Sequence, residues 1–266
     1  MSEPHVTIHR HKLATRLWHW TNAVAVIVML MSGLMIFNAH PRLYWGQYGA
    51  NLDPAWMEIA SDARGGYVKL GSTRIGTDGV LGRWTAADGS VRTNAFPSWA
   101  TLPSDYNLAL ARRWHLAFSL LLGFALLAFL VASLLNRHIQ KDLRIRRRDL
   151  APARLWHDVA EHLKLRFHDP DDPAAFNILQ KLSYVGVIFV AIPLMIFTGL
   201  AMSPGMDAAW PWLIDLFGGR QSARSVHFLA TAALVGFIVV HLLLVLLSGP
   251  INGIRGMITG RLRVPQ

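Results

Sequence analysis

The stretch SVHFLATAALVGFIVVHLLLVLL, residues 225–247, contains no Asp, Glu, Lys or Arg and holds two histidines among apolar residues. A helix of about 20 residues crosses the ~30 Å hydrocarbon core of a bilayer, so this stretch is long enough to span a membrane. Three other uncharged stretches of similar length precede it, at residues 17–37, 114–135 and 182–202. The sequence therefore predicts an all-α membrane protein in which residues 1–266 form one domain, a bundle of four transmembrane helices.

The overall composition agrees with a membrane location. Of the 266 residues, 53% are hydrophobic and only 16% are charged, which is too apolar for a water-soluble domain of this size. The first apolar stretch is too long for a cleaved signal peptide, and Asn38-Ala39-His40-Pro41 is a poor cleavage site, so we expect a permanent anchor. The chain has no cysteine, which excludes thiolate-held iron–sulfur clusters, covalent CxxCH haem and disulfides.

Basic residues are concentrated beside the predicted spans. The net charge is +10, and the excess lies in the N-terminal tail, in residues 136–181 and in the C-terminal tail. By the positive-inside rule these segments are cytoplasmic and residues 38–113 are extracytoplasmic. The Arg-rich run at 144–148 is typical of contact with anionic membrane lipid. This distribution argues against a nucleic-acid partner.

Residues 38–113, which we call the long loop, are rich in glycine and in turn signals. Asp88-Gly89 predicts a small hairpin between residues 79–85 and 90–96. The aromatic residues of the long loop fit either the lipid headgroup level or a surface that docks a partner protein: Tyr44, Trp45, Tyr48, Trp56, Trp84 and Trp99.

Residues 136–181, which we call the basic connection, contain a second pattern. Apolar residues recur there at helical spacing between charged ones, which predicts a helix lying along the membrane surface. Pro170 and Pro173 are expected to end this helix, and Pro193 is expected to kink the third span. The apolar positions are Leu155, Val159, Leu163 and Phe167.

Four of the histidines lie in the apolar stretches: His19, His115, His227 and His241. An ionisable group within a membrane is costly and usually has a partner. His227 and His241 are 14 residues apart. At about 100° and 1.5 Å per residue they share one helix face and lie ~21 Å apart along its axis. The topology places His115 at the same depth in the membrane as His227, and His19 at the same depth as His241. The sequence therefore offers two pairs of axial ligands for two b-type haems.

Three of these histidines follow an arginine by three residues, in the pattern R-x-x-H. Each arginine would lie on the same helix face as its histidine, one turn closer to the water. The three arginines are Arg16, Arg112 and Arg224. Each fits a haem propionate, and each also fits an ordinary anchor at the membrane interface. The letters RLWH return at 154–157, where no apolar stretch follows. We therefore expect a solvated or interfacial side chain at His157, His162 and His168.

Glycines in the spans fit either the close approach of a flat cofactor or plain helix packing: Gly33, Gly123, Gly186, Gly199 and Gly236.

A single membrane histidine would be better explained as a hydrogen-bonded core residue. A metal transporter would have denser ligand clusters, and a proton channel would have acidic relays, yet none of the spans contains Asp or Glu. A cofactor-free anchor or transporter is a further hypothesis, and it predicts that replacing the four histidines has no spectral effect.

The motifs RLWH at 16–19, RRWH at 112–115 and RSVH at 224–227, with His241 following, resemble the prokaryotic cytochrome b561 family. This family includes the cytochrome b subunits of nickel-iron hydrogenases and formate dehydrogenases, and the chain is also similar to those of thiosulfate reductases. The resemblance implies that His19 and His241 bind the iron of an inner haem b, and that His115 and His227 bind that of an outer one. The long loop departs from the short connection of the smallest members.

The resemblance also implies a location, the inner membrane of a bacterium, and a function. The expected protein is a dihaem membrane cytochrome that passes electrons between the quinone pool and a periplasmic redox subunit, such as a molybdopterin enzyme, with no catalytic residue of its own. The alternative is a stand-alone oxidoreductase that transfers electrons from a small donor such as superoxide to quinone. Trp20, Asn22 and Ser248 are candidates for the quinone site. The oligomeric state stays open.

Overall fold

The computed structural model describes residues 5–137, 139–140, 143–164 and 177–265. Four of its helices are long and apolar enough to cross a membrane, and they contain the four predicted stretches. The chain is thus a multi-pass membrane protein. In chain order the helices are α1 (Leu13–Phe37), α2 (Leu108–Leu135), α3 (Pro152–Leu163), α4 (Ile178–Met202), α5 (Pro204–Ala209), α6 (Trp212–Leu216), α7 (Arg220–Leu247) and α8 (Pro250–Thr259).

Helix α4 changes its hydrogen-bonding pattern halfway along. Val187–Ala191 form a π-helical turn, and Pro193 follows two residues later. Proline has no N–H to donate, and its ring crowds the carbonyl group four residues earlier. A π-turn is wider than an α-turn, which relieves this crowding. The irregularity expected at Pro193 is therefore found in the turn that precedes it.

The residues fall into two compact units. The first comprises residues 1–22, 124–193 and 232–266, and the second comprises residues 23–123 and 194–231. Each of the four long helices is divided between the two units: α1, α2, α4 and α7.

The first unit contains the chain ends and the helix of the basic connection. Strand β1 (His5–His9) pairs antiparallel with β8 (Arg261–Pro265). Helix α3 lies at the predicted surface-helix position, and the Asp158 carboxylate accepts a hydrogen bond from the Ile178 N–H at 3.1 Å. This bond links α3 to the start of α4. Four residues interpreted from the sequence lie outside the described residues: Phe167, His168, Pro170 and Pro173.

The second unit contains the long loop, which folds into a small antiparallel sheet. Its strands pair in the order β2 (Arg42–Leu43), β3 (Met57–Asp62), β4 (Gly65–Leu70) and β5 (Thr73–Gly76). The core beneath the sheet is formed by Phe37, Leu43, Met57, Ile59 and Ala95. The fold is thus mostly helical, and the all-α prediction misses this sheet because its strands are short and alternate weakly.

The predicted hairpin at Asp88-Gly89 is present. Strand β6 (Trp84–Thr85) pairs antiparallel with β7 (Val91–Arg92). Gly89 has a φ angle of +80°, a backbone conformation that favours glycine over other residues. The turn chemistry of Asp-Gly therefore located this hairpin correctly from the sequence.

Candidate functional site

His115 and His227 come together in the second unit. His115 lies on α2 and His227 on α7, and their ring centroids are 6.3 Å apart with an angle of 59° between the ring planes. The two imidazoles therefore face each other across a small gap within the membrane-spanning helices.

Two buried hydroxyl groups contact the far nitrogens of these rings. Ser32 Oγ on α1 is 3.2 Å from His115 Nδ1, and Thr198 Oγ1 on α4 is 2.8 Å from His227 Nδ1. Each hydroxyl also donates to a carbonyl of its own helix at 2.7 Å. A hydroxyl has one proton, so its oxygen accepts from the N–H at Nδ1. The Nε2 lone pair of each histidine is therefore available for a metal.

Two of the glycines highlighted by the sequence adjoin the same rings. A methyl group on Gly33 would lie 3.3 Å from His115 Cε1, and one on Gly199 would lie 3.7 Å from His227 Cε1. Because Gly33 has no side chain, the His115 ring can lie this close to α1. Gly123, Gly186 and Gly236 meet no such neighbour among the described residues.

His19 and His241 come together in the first unit. Their ring centroids are 6.4 Å apart, again with 59° between the planes. The Phe237 ring stacks on His241 with centroids 5.8 Å apart. Among the described residues, three buried polar atoms near this pair have no hydrogen-bond partner: His19 Nδ1, Asn22 Oδ1 and Arg16 Nε. Such orphaned groups are costly unless a bound group satisfies them.

The geometry of both pairs fits an iron held between two imidazoles. A ring nitrogen binds a first-row metal at about 2.0 Å, and the ring centroid lies about 1.1 Å farther out, so two opposed ligands place their centroids about 6.2 Å apart. The described residues contain no cluster of three or more His, Cys, Asp or Glu side chains that would hold a metal ion alone. Two histidines per site suit a cofactor that supplies the remaining ligands itself, as a porphyrin does.

The three R-x-x-H arginines have different surroundings. The Arg224 guanidinium donates to the His40 carbonyl in the long loop and lies 5.5 Å from the centre of the Phe37 ring. Arg112 is exposed, whereas Arg16 is partly buried with its Nε unpaired. Arg16 is therefore the arginine of the three whose buried nitrogen lacks an acceptor.

The remaining sequence candidates lie in ordinary environments. His157 is exposed on α3, as expected for the copy of RLWH that no apolar stretch follows. The Trp20 indole donates to the Met257 carbonyl at 3.1 Å, and the Ser248 hydroxyl is 3.4 Å from the Val245 carbonyl, so both candidate quinone residues have partners.

The long loop is anchored to the beginning of α7, two turns before His227. The Gly46 carbonyl accepts hydrogen bonds from the N–H groups of Gln221 and Ser222 at 3.1 Å. Buried Ser225 accepts a hydrogen bond from the Trp56 indole at 2.9 Å and donates to the Tyr44 carbonyl at 2.6 Å. The two bonds to the Gly46 carbonyl satisfy N–H groups that the first turn of a helix leaves without partners.

Sequence reasoning missed Ser32 and Thr198. The available signal was a hydroxyl residue followed by glycine inside a span, Ser32-Gly33 in α1 and Thr198-Gly199 in α4. This signal is weak alone, since serine and threonine in helices usually bond only to their own backbone.

Comparisons with known proteins show the family of the chain. The family described as "Prokaryotic cytochrome b561" matches residues 10–260. A protein of Azospira oryzae named "Putative protein-methionine-sulfoxide reductase subunit YedZ1" is 26% identical, with 87% of each chain covered. A "Probable Ni/Fe-hydrogenase B-type cytochrome subunit" of Cupriavidus necator is 22% identical over 87% of this chain and 75% of its own. No solved structure matches.

Proposed function

Because the chain belongs to the prokaryotic cytochrome b561 family, we propose that it is a dihaem b-type electron-transfer subunit of a membrane oxidoreductase. It exchanges electrons between quinone in the cytoplasmic membrane and a redox partner on the periplasmic side of that membrane. Both termini and the basic connection lie in the cytoplasm, and the long loop lies outside.

The observation that carries this proposal is the pair of facing imidazoles, found twice. His115 with His227, and His19 with His241, have ring separations of 6.3 and 6.4 Å. Each pair would hold one haem b, whose iron supplies one-electron oxidation and reduction. The chain's own part is to fix the imidazoles, to exclude water from them and to bury the apolar edge of the cofactor among helices.

The curated relatives support a role as one subunit of a complex. One is named as a subunit of a protein-methionine-sulfoxide reductase and the other as a b-type subunit of a hydrogenase. Both names describe a subunit of an enzyme that carries out redox chemistry, and the two enzymes catalyse different reactions. We therefore propose a periplasmic redox subunit as the partner, and the long loop beside His227 is the surface nearest to it.

The quinone site is proposed near His19. The Asn22 amide oxygen is buried without a partner one turn along α1 from His19, where it would accept a hydrogen bond from the hydroxyl of a quinol. Ser248 and Trp20 already have backbone partners, which leaves Asn22 as the strongest of the three candidates.

The test is reduction of the purified protein by duroquinol, a short quinol, followed at the haem absorption band. We expect the haem to become reduced, and Asn22→Leu to slow the reduction while its haem content stays the same. Ser248→Ala serves as the control. Haem that dithionite reduces and duroquinol never reduces would contradict the quinone part of the proposal.

A further inference from the structure

Ser32 and Thr198 are the two fully buried hydroxyl residues that contact the ring nitrogens of His115 and His227. We infer that they are positioning residues that fix the ring plane and the protonated nitrogen of these ligands and lower the reduction potential of the haem they hold. The inference rests on the proposed function, since it concerns the haem that this pair would bind.

The direction of each hydrogen bond follows from counting protons. The Thr198 hydroxyl donates to the Leu194 carbonyl at 2.7 Å, and its oxygen is 2.8 Å from His227 Nδ1. The Ser32 hydroxyl donates to the Val28 carbonyl at 2.7 Å in the same way. Both oxygens must therefore accept from a histidine N–H, which leaves Nε2 as the nitrogen with a lone pair.

The arrangement occurs twice on different helices, which argues against chance. In α1 and in α4, a hydroxyl residue that contacts a histidine Nδ1 is followed directly by a glycine that adjoins the same ring. The paired dipeptides are Ser32-Gly33 and Thr198-Gly199. The hydroxyl holds the ring nitrogen, and Gly33 gives His115 room at 3.3 Å.

The other pair of histidines is built differently. His19 Nδ1 is buried and, among the described residues, has no hydrogen-bond partner. The hydroxyl support thus belongs to the His115–His227 pair, and its loss should affect one haem rather than both.

A hydrogen bond from Nδ1–H makes an imidazole a stronger electron donor, which favours ferric over ferrous iron and lowers the reduction potential. Thr198 should matter more than Ser32, because its oxygen is 2.8 Å from the histidine Nδ1 while that of Ser32 is 3.2 Å away. Each ring also has a backbone acceptor, the Met29 carbonyl for His115 and the Met195 carbonyl for His227, so loss of a hydroxyl weakens the support of the ring without abolishing it.

The test is a redox titration of the purified protein with three variants at two threonines. Thr198→Val removes the hydroxyl at nearly constant volume, and Thr198→Ser keeps it. Thr231→Val is the matched control, since Thr231 lies one turn after His227 and donates to the His227 carbonyl at 2.8 Å rather than to a ring.

We expect Thr198→Val to raise the midpoint potential of one haem and leave the other unchanged, while Thr198→Ser and Thr231→Val behave as wild type. Ser32→Ala should raise the same potential by a smaller amount. A low-field electron paramagnetic resonance signal that shifts in Thr198→Val alone would give a second reading of the ligand geometry.

Three results would overturn the inference: unchanged potentials in Thr198→Val, an equal shift in Thr231→Val, or loss of one haem in both Thr198→Val and Thr198→Ser, which would make Thr198 a packing residue. Loss of one haem in Thr198→Val but not in Thr198→Ser would support it. Wild-type protein that binds no haem would instead refute the proposed function.

Discussion

His40 shows how the charged surroundings of a single residue set its protonation. Its ring stacks on Tyr44 in the long loop, with centroids 5.7 Å apart. Burial, followed by the positive charges of Arg224 and Arg42, lowers the pKa of His40 below its ordinary value. The neutral form is therefore favoured at neutral pH.

We expect Arg42→Gln to raise the pKa of His40 in a nuclear magnetic resonance titration of the imidazole, and Arg64→Gln to leave it unchanged. Because the folded pKa lies below the unfolded value of about 6.5, the stability that His40 contributes is complete above pH 6.5 and is lost as the pH falls. An unaltered titration in Arg42→Gln would show that the charge of Arg42 does not contribute to the lowered pKa of His40.

The same scale shows what one sequence can and cannot reveal. His115 and His227 were identified because charged or ionisable groups are rare in membrane helices and therefore conspicuous. Ser32 and Thr198 were not, because a small hydroxyl residue is common there and the sequence does not say which helix face meets a neighbouring histidine. The histidines of this pair were found from the sequence, and the hydroxyl residues that contact them were found only in the structure.

At the scale of elements, the contact between the long loop and α7 depends on Ser225. Its hydroxyl accepts from the Trp56 indole at 2.9 Å and donates to the Tyr44 carbonyl at 2.6 Å, and the residue is fully buried. Ser225→Ala would leave two polar groups without partners, at about 1–3 kcal/mol each.

We expect Ser225→Ala to lower the thermal unfolding temperature of the detergent-purified protein. Ser119→Ala is the control, because the Ser119 hydroxyl donates to the Leu116 carbonyl of its own helix. Equal unfolding temperatures for the two variants would show that the loop does not depend on this serine.

The elements also differ in how far they could be predicted. The four apolar stretches and the Asp88-Gly89 hairpin follow from strong local signals, length in one case and turn chemistry in the other. The four-stranded sheet could not be predicted in the same way. Gly66 lies against the Leu81 backbone and Gly82 against the Ala60 backbone. No short-range sequence pattern indicates these close approaches, on which the register of the sheet depends.

For the whole molecule, orientation in the membrane is the property to be tested. The chain has no cysteine, so single introduced thiols report their side without interference. We expect Leu52→Cys, at the most exposed hydrophobic position of the long loop (99% exposed), to react with a membrane-impermeant maleimide in intact cells. Arg263→Cys, exposed near the C-terminus, should react only after the membrane is opened. The reverse pattern would invert the proposed topology.

The central claim is that the chain holds two b haems between two pairs of histidines, and haem content tests it most directly. We expect the pyridine haemochrome of the purified protein to give two non-covalent haems per chain. His227→Ala and His241→Ala should each lose one, and His157→Ala should keep both. Well-folded protein without haem, or His227 and His241 variants that retain two, would contradict the account.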